Sequence, residues 1–538
     1  MKKEPVEEKF YARFVAKPKL SKKERREAFW AEEDWDEDDE DEEDEPVEKA
    51  RRTRHSRTEA PKFPEDGMEN RCPAARRCSG CQMANLSYGQ TLRWKKSQVT
   101  KLLGSYGKVR PVIGMADPFH YRYKVQTAFG YSRGRVVYGV WQSKEGRVAP
   151  VDGCLIEEEG AAKIAATVRK LMQSFKLSPW MEGRGGFLRY LLIRRGYATG
   201  QVMVVLVAGT PVFPSKGAFV RELLRAHPEI TTLLFSVNTG ELNLMLGDRE
   251  EVLYGPGYIE DELCGLNFRI SPASFYQVNP LQTQCLYTEA LALCELSGEE
   301  RVLDAYCGVG TIGMIAAGQV KEVIGVETVE AAVKDAEKNA ALNGIRNIRF
   351  VCADAGEFLT EAAEAGEKPD LVILDPPRAG ASKAFIQGLR KAMPEKILYI
   401  SCNPETQARD LVLLTAGKKY AVEAIQPVDM FPWTHHIETV VLLSKLKVDH
   451  HIEIELKMDE LDLTAAESKA TYDEIKAYVL NKYGLKVSQL YIAQIKRKCG
   501  IIERKNYNVS KKEDAKVPQC PPEKEAAIMD ALKHFQMI

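Results

Sequence analysis

The sequence lacks any run of 18 or more apolar residues, so no membrane-spanning helix is expected. Its first residues, MKKEPVEEKFYARF, are charged and lack the apolar segment of a secretory signal. The twelve cysteines do not form a disulfide framework pattern in a chain of 538 residues. These absences predict a cytoplasmic protein in which clustered cysteines serve metal binding or catalysis.

The chain has almost no net charge, −1 at pH 7, but its charges are unevenly distributed. Residues 1–70 contain 23 acidic and 16 basic side chains, so the rest of the chain carries about +6. A mildly basic folded part is compatible with a polyanionic partner. Residues 1–68, with an acidic block at 34–45, are predicted to be a disordered charged tail. That tail would be either a solvated segment or an electrostatic arm near RNA.

The remaining chain divides into four segments by its pattern. Residues 69–109 hold three close cysteines and a helical stretch. Residues 110–270 read as hairpins, which predicts an antiparallel β domain. Residues 271–446 alternate apolar strands with helices, which predicts an α/β fold with a mostly parallel sheet covered on both faces. Residues 447–538 form a helical extension, whose first two helices resemble a helix-turn-helix or are a plain appendage.

A glycine-rich turn follows the first strand of the α/β segment, in DAYCGVGTIG at 304–313. Glu327 ends the next strand, where an acid can bind the hydroxyls of a ribose. These two features fit either a nicotinamide-dependent dehydrogenase or a protein that binds S-adenosylmethionine. Asp375, in LDPPRAG, begins a rigid loop after the fourth strand. Such an element is typical of methyltransferases and favours S-adenosylmethionine.

A cysteine, Cys402, stands at the end of the fifth strand, in KILYISCNPET. In open α/β sheets the strand ends carry the chemistry. A thiolate added to C6 of a uracil would make C5 nucleophilic enough to accept a methyl group. The proton on C5 must then be removed by a general base. Glu438, at the mouth of the last strand, is a better candidate for this base than His436, because burial raises the pKa of a carboxyl.

The motifs FYQVN, DAYCGVGTIG, GVE, LDPPRAG, SCNP and DMFPWTHHIE together resemble the RNA 5-methyluridine methyltransferases over about 72–445. This resemblance implies a Rossmann-like, S-adenosylmethionine-dependent domain in which Cys402 is the nucleophile and Glu438 the proton acceptor. It also implies a set of positions that contact the cofactor, namely Gln277, Tyr306, Glu327 and Asp375. RNA cytosine-5 enzymes keep a cysteine where this chain has Arg378, which favours uracil over cytosine.

Four further cysteines are candidate metal ligands, Cys72, Cys78, Cys81 and Cys154. Four thiolates suit either a tetrahedral zinc ion or a four-iron–four-sulfur cluster. The spacing resembles that of the branch of the family that acts on ribosomal RNA and carries an iron–sulfur cluster. The resemblance therefore implies a 4Fe–4S cluster with a structural or RNA-orienting role.

The sequence as a whole predicts a monomeric, cytoplasmic RNA uridine C5-methyltransferase that acts on 23S ribosomal RNA. The strand-rich segment at 110–270, which also supplies Cys154, is the expected RNA-binding domain. A transfer-RNA uridine methyltransferase is the first alternative. A nucleotide-dependent oxidoreductase and a non-catalytic RNA-binding module are the others.

Overall fold

The computed structural model describes residues 68–181, 183–240, 246–247, 249–446, 472–499 and 520–534. The chain divides into two compact units, Met1–Asp449 and His450–Ile538. The charged tail predicted at 1–68 lies outside the described residues, apart from Met68, and so does much of the predicted extension at 447–538. In the part of the chain that the structure describes, no helix is both long and apolar enough to cross a bilayer.

The first unit combines helices with two seven-stranded sheets. Its described α-helices, in chain order, are α1 (Tyr88–Leu103), α2 (Glu159–Ser174), α3 (Lys216–Ala226), α4 (Pro280–Leu293), α5 (Thr311–Ala317), α6 (Glu330–Leu342), α7 (Ala355–Ala365), α8 (Lys383–Ala392) and α9 (Pro404–Thr415). Its described strands are β1 (Lys124–Ser132), β2 (Arg135–Gln142), β3 (Arg147–Pro150), β4 (Leu188–Arg195), β5 (Val202–Ala208), β6 (Ile230–Val237), β7 (Arg249–Tyr254), β8 (Ile259–Leu263), β9 (Leu266–Ile270), β10 (Arg301–Ala305), β11 (Glu322–Glu327), β12 (Ile348–Cys352), β13 (Leu371–Leu374), β14 (Lys396–Ser401), β15 (Tyr420–Val428) and β16 (Glu438–Lys445).

The first sheet has the strand order β3-β2-β1-β4-β5-β6-β7. The pairs β1–β2 and β4–β5 are antiparallel, at the positions where the sequence indicates hairpins. The expectation of a purely antiparallel sheet is wrong for one pair, because β6 lies parallel to β5. Helix α3 makes the crossover between these two strands, which a parallel connection requires. Val168 of α2 and Phe219 of α3 are both fully buried in the core of this sheet.

The second sheet has the strand order β12-β11-β10-β13-β14-β16-β15. Its strands from β12 to β14 run parallel, and their carboxyl ends therefore meet at one edge of the sheet. All four residues of β13 are buried, as expected for a strand covered on both faces. Strand β16 then pairs antiparallel with β14, and β15 pairs antiparallel with β16.

The outer strand β15 is not predicted from the sequence, because a bulge at Val422–Ala424 and Pro427 break its pattern. Its free edge is covered by the chain that follows α1. The backbone N–H groups of Arg110 and Ile113 donate to the carbonyls of Ile425 and Pro427, each at 3.0 Å. This cover protects the edge from pairing with another chain.

The second unit contains three described helices, α10 (Tyr472–Tyr483), α11 (Gln489–Lys498) and α12 (Pro522–His534). They surround a small core of their own, which includes Ile475, Ile492 and Ile528. Gly484, between α10 and α11, has a φ of 67°, which favours glycine in that turn. The helix-turn-helix interpretation of this pair stays a prediction.

Candidate active site

A cavity of about 180 Å³ opens at the carboxyl edge of the second sheet. It is lined by every residue that the sequence singles out for catalysis or cofactor contact, namely Gln277, Tyr306, Glu327, Asp375, Cys402 and Glu438. These residues come from six different strand ends or loops between residues 277 and 438. The fold therefore brings them to one place, as expected where parallel strands end together.

The glycine-rich turn and Glu327 form one end of the cavity. The Glu327 carboxylate accepts hydrogen bonds from the N–H of Gly308 at 3.1 Å and the N–H of Val329 at 2.8 Å. Gly308 has a φ of 55°, and a Cβ added there would meet no atom within 4 Å. The backbone at this turn thus faces open space, in which a ligand can approach it closely.

Asp304 also contacts the glycine-rich turn. This carboxyl is buried in β10 and accepts a hydrogen bond from the N–H of Gly313 at 2.9 Å. Burial raises its pKa to about 8. A Cβ on Gly313 would lie 2.6 Å from the Asp304 Oδ2 atom, so the close contact between the turn and the strand requires glycine.

Cys402 and Glu438 are brought together by strand register. The last pair between β14 and β16 is Ser401 with Thr439. In an antiparallel ladder the next residue of one strand opposes the preceding residue of the other, so Cys402 lies opposite Glu438. Residues that oppose each other in this way have Cβ atoms about 5 Å apart and point to the same face. The thiol and the carboxyl are therefore neighbours in the cavity.

The surroundings of the Cys402 thiol favour its protonated form. Burial raises the pKa of Cys402, and the carboxyls of Glu438 and Asp375 raise it further. The Arg378 guanidinium acts in the opposite direction. A nucleophilic thiolate consequently has to be generated by transfer of the proton to a nearby base.

The two carboxyls also hold their protons more strongly than usual. Burial raises the pKa of Asp375 to about 7. Burial and the neighbouring Asp375 raise the pKa of Glu438 well above its ordinary value, whereas Arg378 lowers it. By contrast, burial and the cations around His436 lower the pKa of this imidazole to about 3, which leaves it a weak base. The electrostatics therefore favour Glu438 over His436 as a proton acceptor.

Several lining residues were not assigned a role from the sequence. Phe275 and Tyr287 contribute an aromatic wall, and Arg378 contributes a cation. The carbonyl of Arg378 accepts hydrogen bonds from Asn403 Nδ2 at 3.3 Å and Thr406 Oγ1 at 3.1 Å, which ties its loop to α9. Phe275 stands in the FYQVN motif and could have been found there, but nothing in the sequence of α4 distinguishes Tyr287.

The four candidate metal ligands are thiols that form no disulfide, and they influence one another electrostatically. Burial raises the pKa of Cys81 to about 12, and Cys78 and Cys72 raise it in addition. The pKa of Cys154 is raised by burial, by Glu157 and also by Cys81. Among the described residues, however, no group of three or more His, Cys, Asp or Glu side chains is arranged to hold a single metal ion.

Comparison with known proteins identifies the class to which this fold and site belong. Residues 257–446 match the family model of the tRNA (uracil-5-)-methyltransferases. An uncharacterised RNA methyltransferase of Halalkalibacterium halodurans is 40% identical over 384 residues, which are 70% of this chain and 84% of that protein. A second, from Clostridium acetobutylicum, is 37% identical over 71% of this chain and 85% of its own length.

Among solved structures, the chain is similar to the tRNA (uracil-54, C5)-methyltransferase of Pyrococcus abyssi, in complex with S-adenosyl-L-homocysteine. The TM-score is 0.58 and the identity 29%, with 68% of this chain and 86% of that chain covered. The fold is thus that of an S-adenosylmethionine-dependent methyltransferase. The chain belongs to the tRNA (uracil-5-)-methyltransferase family and is an RNA methyltransferase.

Proposed function

We propose that this enzyme methylates C5 of a uridine in RNA through a covalent bond between Cys402 and C6 of the base. The observation that carries the proposal is the pairing of Ser401 with Thr439 in β14 and β16, from which we infer that the adjacent Cys402 and Glu438 face each other. Both line the same cavity as the glycine-rich turn. A nucleophile, a base and a cofactor loop in one cavity are what this reaction requires.

The cofactor is held by the residues at the glycine-rich end of the cavity. Glu327 would accept hydrogen bonds from the ribose hydroxyls, and the backbone at Gly308 leaves room for close approach. Gln277, Tyr306 and Asp375 line the remaining part of this end. S-adenosylmethionine, when bound, supplies an electrophilic methyl group on a sulfonium centre.

Cys402 starts the reaction on the uracil ring. Transfer of its proton to the ionised Asp375 carboxyl would give the thiolate and leave Glu438 ionised for the later step. The thiolate bonds to C6 while the C5–C6 electron pair moves to form an enolate. C5 thereby becomes nucleophilic and accepts the methyl group. The Arg378 cation, which lowers the pKa of Cys402, favours the thiolate.

Glu438 completes the reaction. C5 now bears both a methyl group and a proton, and the ionised Glu438 takes this proton. The electron pair of the C5–H bond re-forms the C5–C6 double bond, and the Cys402 sulfur leaves as thiolate. Because burial raises the pKa of Glu438, its carboxylate is a stronger base than an exposed glutamate.

The substrate that we propose is 23S ribosomal RNA, on the basis of the cysteine spacing. The second candidate is transfer RNA, which the similarity to the Pyrococcus abyssi enzyme favours. Mapping 5-methyluridine in both RNA classes from a deletion strain distinguishes them, since the modification disappears from the true substrate. In either case the target base must leave its stack to reach Cys402.

We further propose that Cys72, Cys78, Cys81 and Cys154 hold a 4Fe–4S cluster. Four thiolates on a single zinc ion lie only about 3.8 Å apart, as the Zn–S bond length dictates. In a 4Fe–4S cube each iron takes one thiolate, and four cysteines that raise each other's pKa support a shared site for such a cube. The cluster would supply a rigid cross-link of the segment at 69–109 rather than electrons.

Glu327→Gln should weaken binding of S-adenosylmethionine at least about tenfold, because a charge-assisted hydrogen bond is lost. Isothermal titration calorimetry on the purified protein measures the change. Glu330→Gln, in the first turn of α6, is the matched control and should bind normally. Equal affinity of the Glu327 variant and the wild type would contradict the assigned role.

Cys402→Ala should abolish methyl transfer to RNA while binding of S-adenosylmethionine is kept. Glu438→Gln should slow turnover about 10²–10⁴-fold and accumulate a protein–RNA adduct, because the sulfur cannot leave until the C5 proton is removed. Transfer of a radiolabelled methyl group and a denaturing gel provide the two readouts. Cys294→Ala, a buried cysteine outside the cavity, is the control. Methylation by the Cys402 variant would disprove the mechanism.

Cys81→Ser should remove the iron and the visible absorption of protein purified without oxygen, whereas the wild type should contain roughly four irons per chain. The exposed Cys285, changed to serine, is the matched control and should leave the iron content unchanged. Metal analysis that finds zinc in place of iron, or no metal, would contradict the cluster proposal.

A further inference from the structure

We propose that Lys95 and Asp429 are positioning residues that hold Glu438 in place for proton removal. They act through the return loop, which we define as residues 429–437 between β15 and β16. The inference rests on the proposed function, because it assigns to this pair the control of one step of that reaction.

The Lys95 side chain is fully buried, and three hydrogen bonds join it to the return loop. Its Nζ atom donates to Asp429 Oδ1 at 2.6 Å, to the carbonyl of Phe431 at 2.9 Å and to the carbonyl of His436 at 2.7 Å. An ammonium group has three donors, and all three are used here. The lysine thus ties the start of the loop to its end, two residues before Glu438.

Asp429 is anchored on its other side as well. Its Oδ2 atom accepts a hydrogen bond from the Tyr88 hydroxyl at 2.8 Å, and that hydroxyl accepts one from the N–H of Met115 at 2.8 Å. The carbonyl of Asp429 accepts from Gln282 Nε2 at 3.1 Å. Asp429 is therefore fixed to α1 through its carboxylate and to α4 through its backbone carbonyl, and Lys95 takes its position from this fixed residue.

The loop that this pair holds is not in a relaxed conformation. Trp433 has a φ of 71°, a left-handed conformation that is unfavourable for a bulky residue. Its indole is nevertheless completely buried, and Nε1 donates to the carbonyl of Pro118 at 2.9 Å. Such a conformation persists only where the surrounding contacts impose it, and strained loops of this kind are found at functional sites.

Simple packing does not explain a charged pair at this position. Burying a lysine and an aspartate has a large desolvation cost, and apolar residues of similar volume often stabilise a core as well or better. An ammonium group makes directional hydrogen bonds, which an apolar side chain cannot make. Its bonds to the Asp429 carboxylate and to two carbonyls fix where those carbonyls lie. The pair therefore determines the shape of the loop more than the stability of the fold.

Cys402 lies on a different element from this loop. It follows β14 and precedes α9, whose first turn is capped by the Asn403 side chain, which accepts from the N–H of Glu405 at 3.0 Å. Loss of the Lys95 contacts should thus move Glu438 but leave the nucleophile in place. A positioning role predicts a defect in proton removal, while a merely structural role predicts that all steps weaken together.

Lys95→Met tests the inference in the full-length enzyme with an RNA substrate that carries tritium at C5 of the target uridine. The variant should form the covalent adduct at close to the wild-type rate but release tritium about 10²-fold more slowly, so that the adduct accumulates. Lys396→Met is the matched control. This lysine also donates to a carbonyl, that of Cys294, but at the opposite edge of the sheet. It should behave like the wild type.

Where Lys95→Met does not fold, the double variant Lys95→Met/Asp429→Leu replaces it, because no buried charge is then left unpaired. Folding of each variant is checked by circular dichroism and by binding of S-adenosylmethionine. Equal losses in adduct formation and tritium release, or no loss in either, would overturn the inference. A wild-type enzyme that forms no adduct and methylates no RNA would instead refute the proposed function.

Discussion

The antiparallel pairing of β16 with β14 is the constraint on which this active site depends. In a sheet made only of parallel strands, only the carboxyl ends of strands would lie at this edge, and each would be followed by a crossover connection. Because β16 runs the other way, its first residue arrives at the edge where β14 finishes, and Ser401 pairs with Thr439. One step further along the same register, a thiol and a carboxyl stand opposite each other. This single reversal of strand direction brings the proposed nucleophile and the proposed base together.

The cavity environment favours the uncharged forms of its carboxyl and thiol groups. Burial raises the pKa values of Asp375, Glu438 and Cys402, and Arg378 opposes this effect at Glu438 and Cys402. Burial raises the pKa of both Cys402 and Glu438, so in the proposed mechanism one environment affects both the nucleophile and the base.

The strand-end motifs could be recognised from the sequence because each is local. One short helix separates the glycine-rich turn from the strand that ends at Glu327. The alternation of strands and helices predicts that the two meet at one edge of a parallel sheet. The partners that depend on long-range packing could not be recognised. Lys95 and Asp429 are 334 residues apart, and no periodicity connects them. Strand β15 and the parallel pair β5–β6 were missed for the same reason, since pairing direction and bulges are decided by the assembled sheet.

The most direct test of the account is covalent trapping with substrate RNA in which the target base is 5-fluorouridine. With fluorine in place of hydrogen, C5 carries no proton that Glu438 could remove. The bond between the sulfur and C6 should therefore persist once the methyl group is transferred. The measurement is a denaturing gel followed by mass spectrometry of the linked peptide, with S-adenosylmethionine present. The account predicts a stable adduct at Cys402. The absence of an adduct, or an adduct at another cysteine of the cavity such as Cys307, would contradict it.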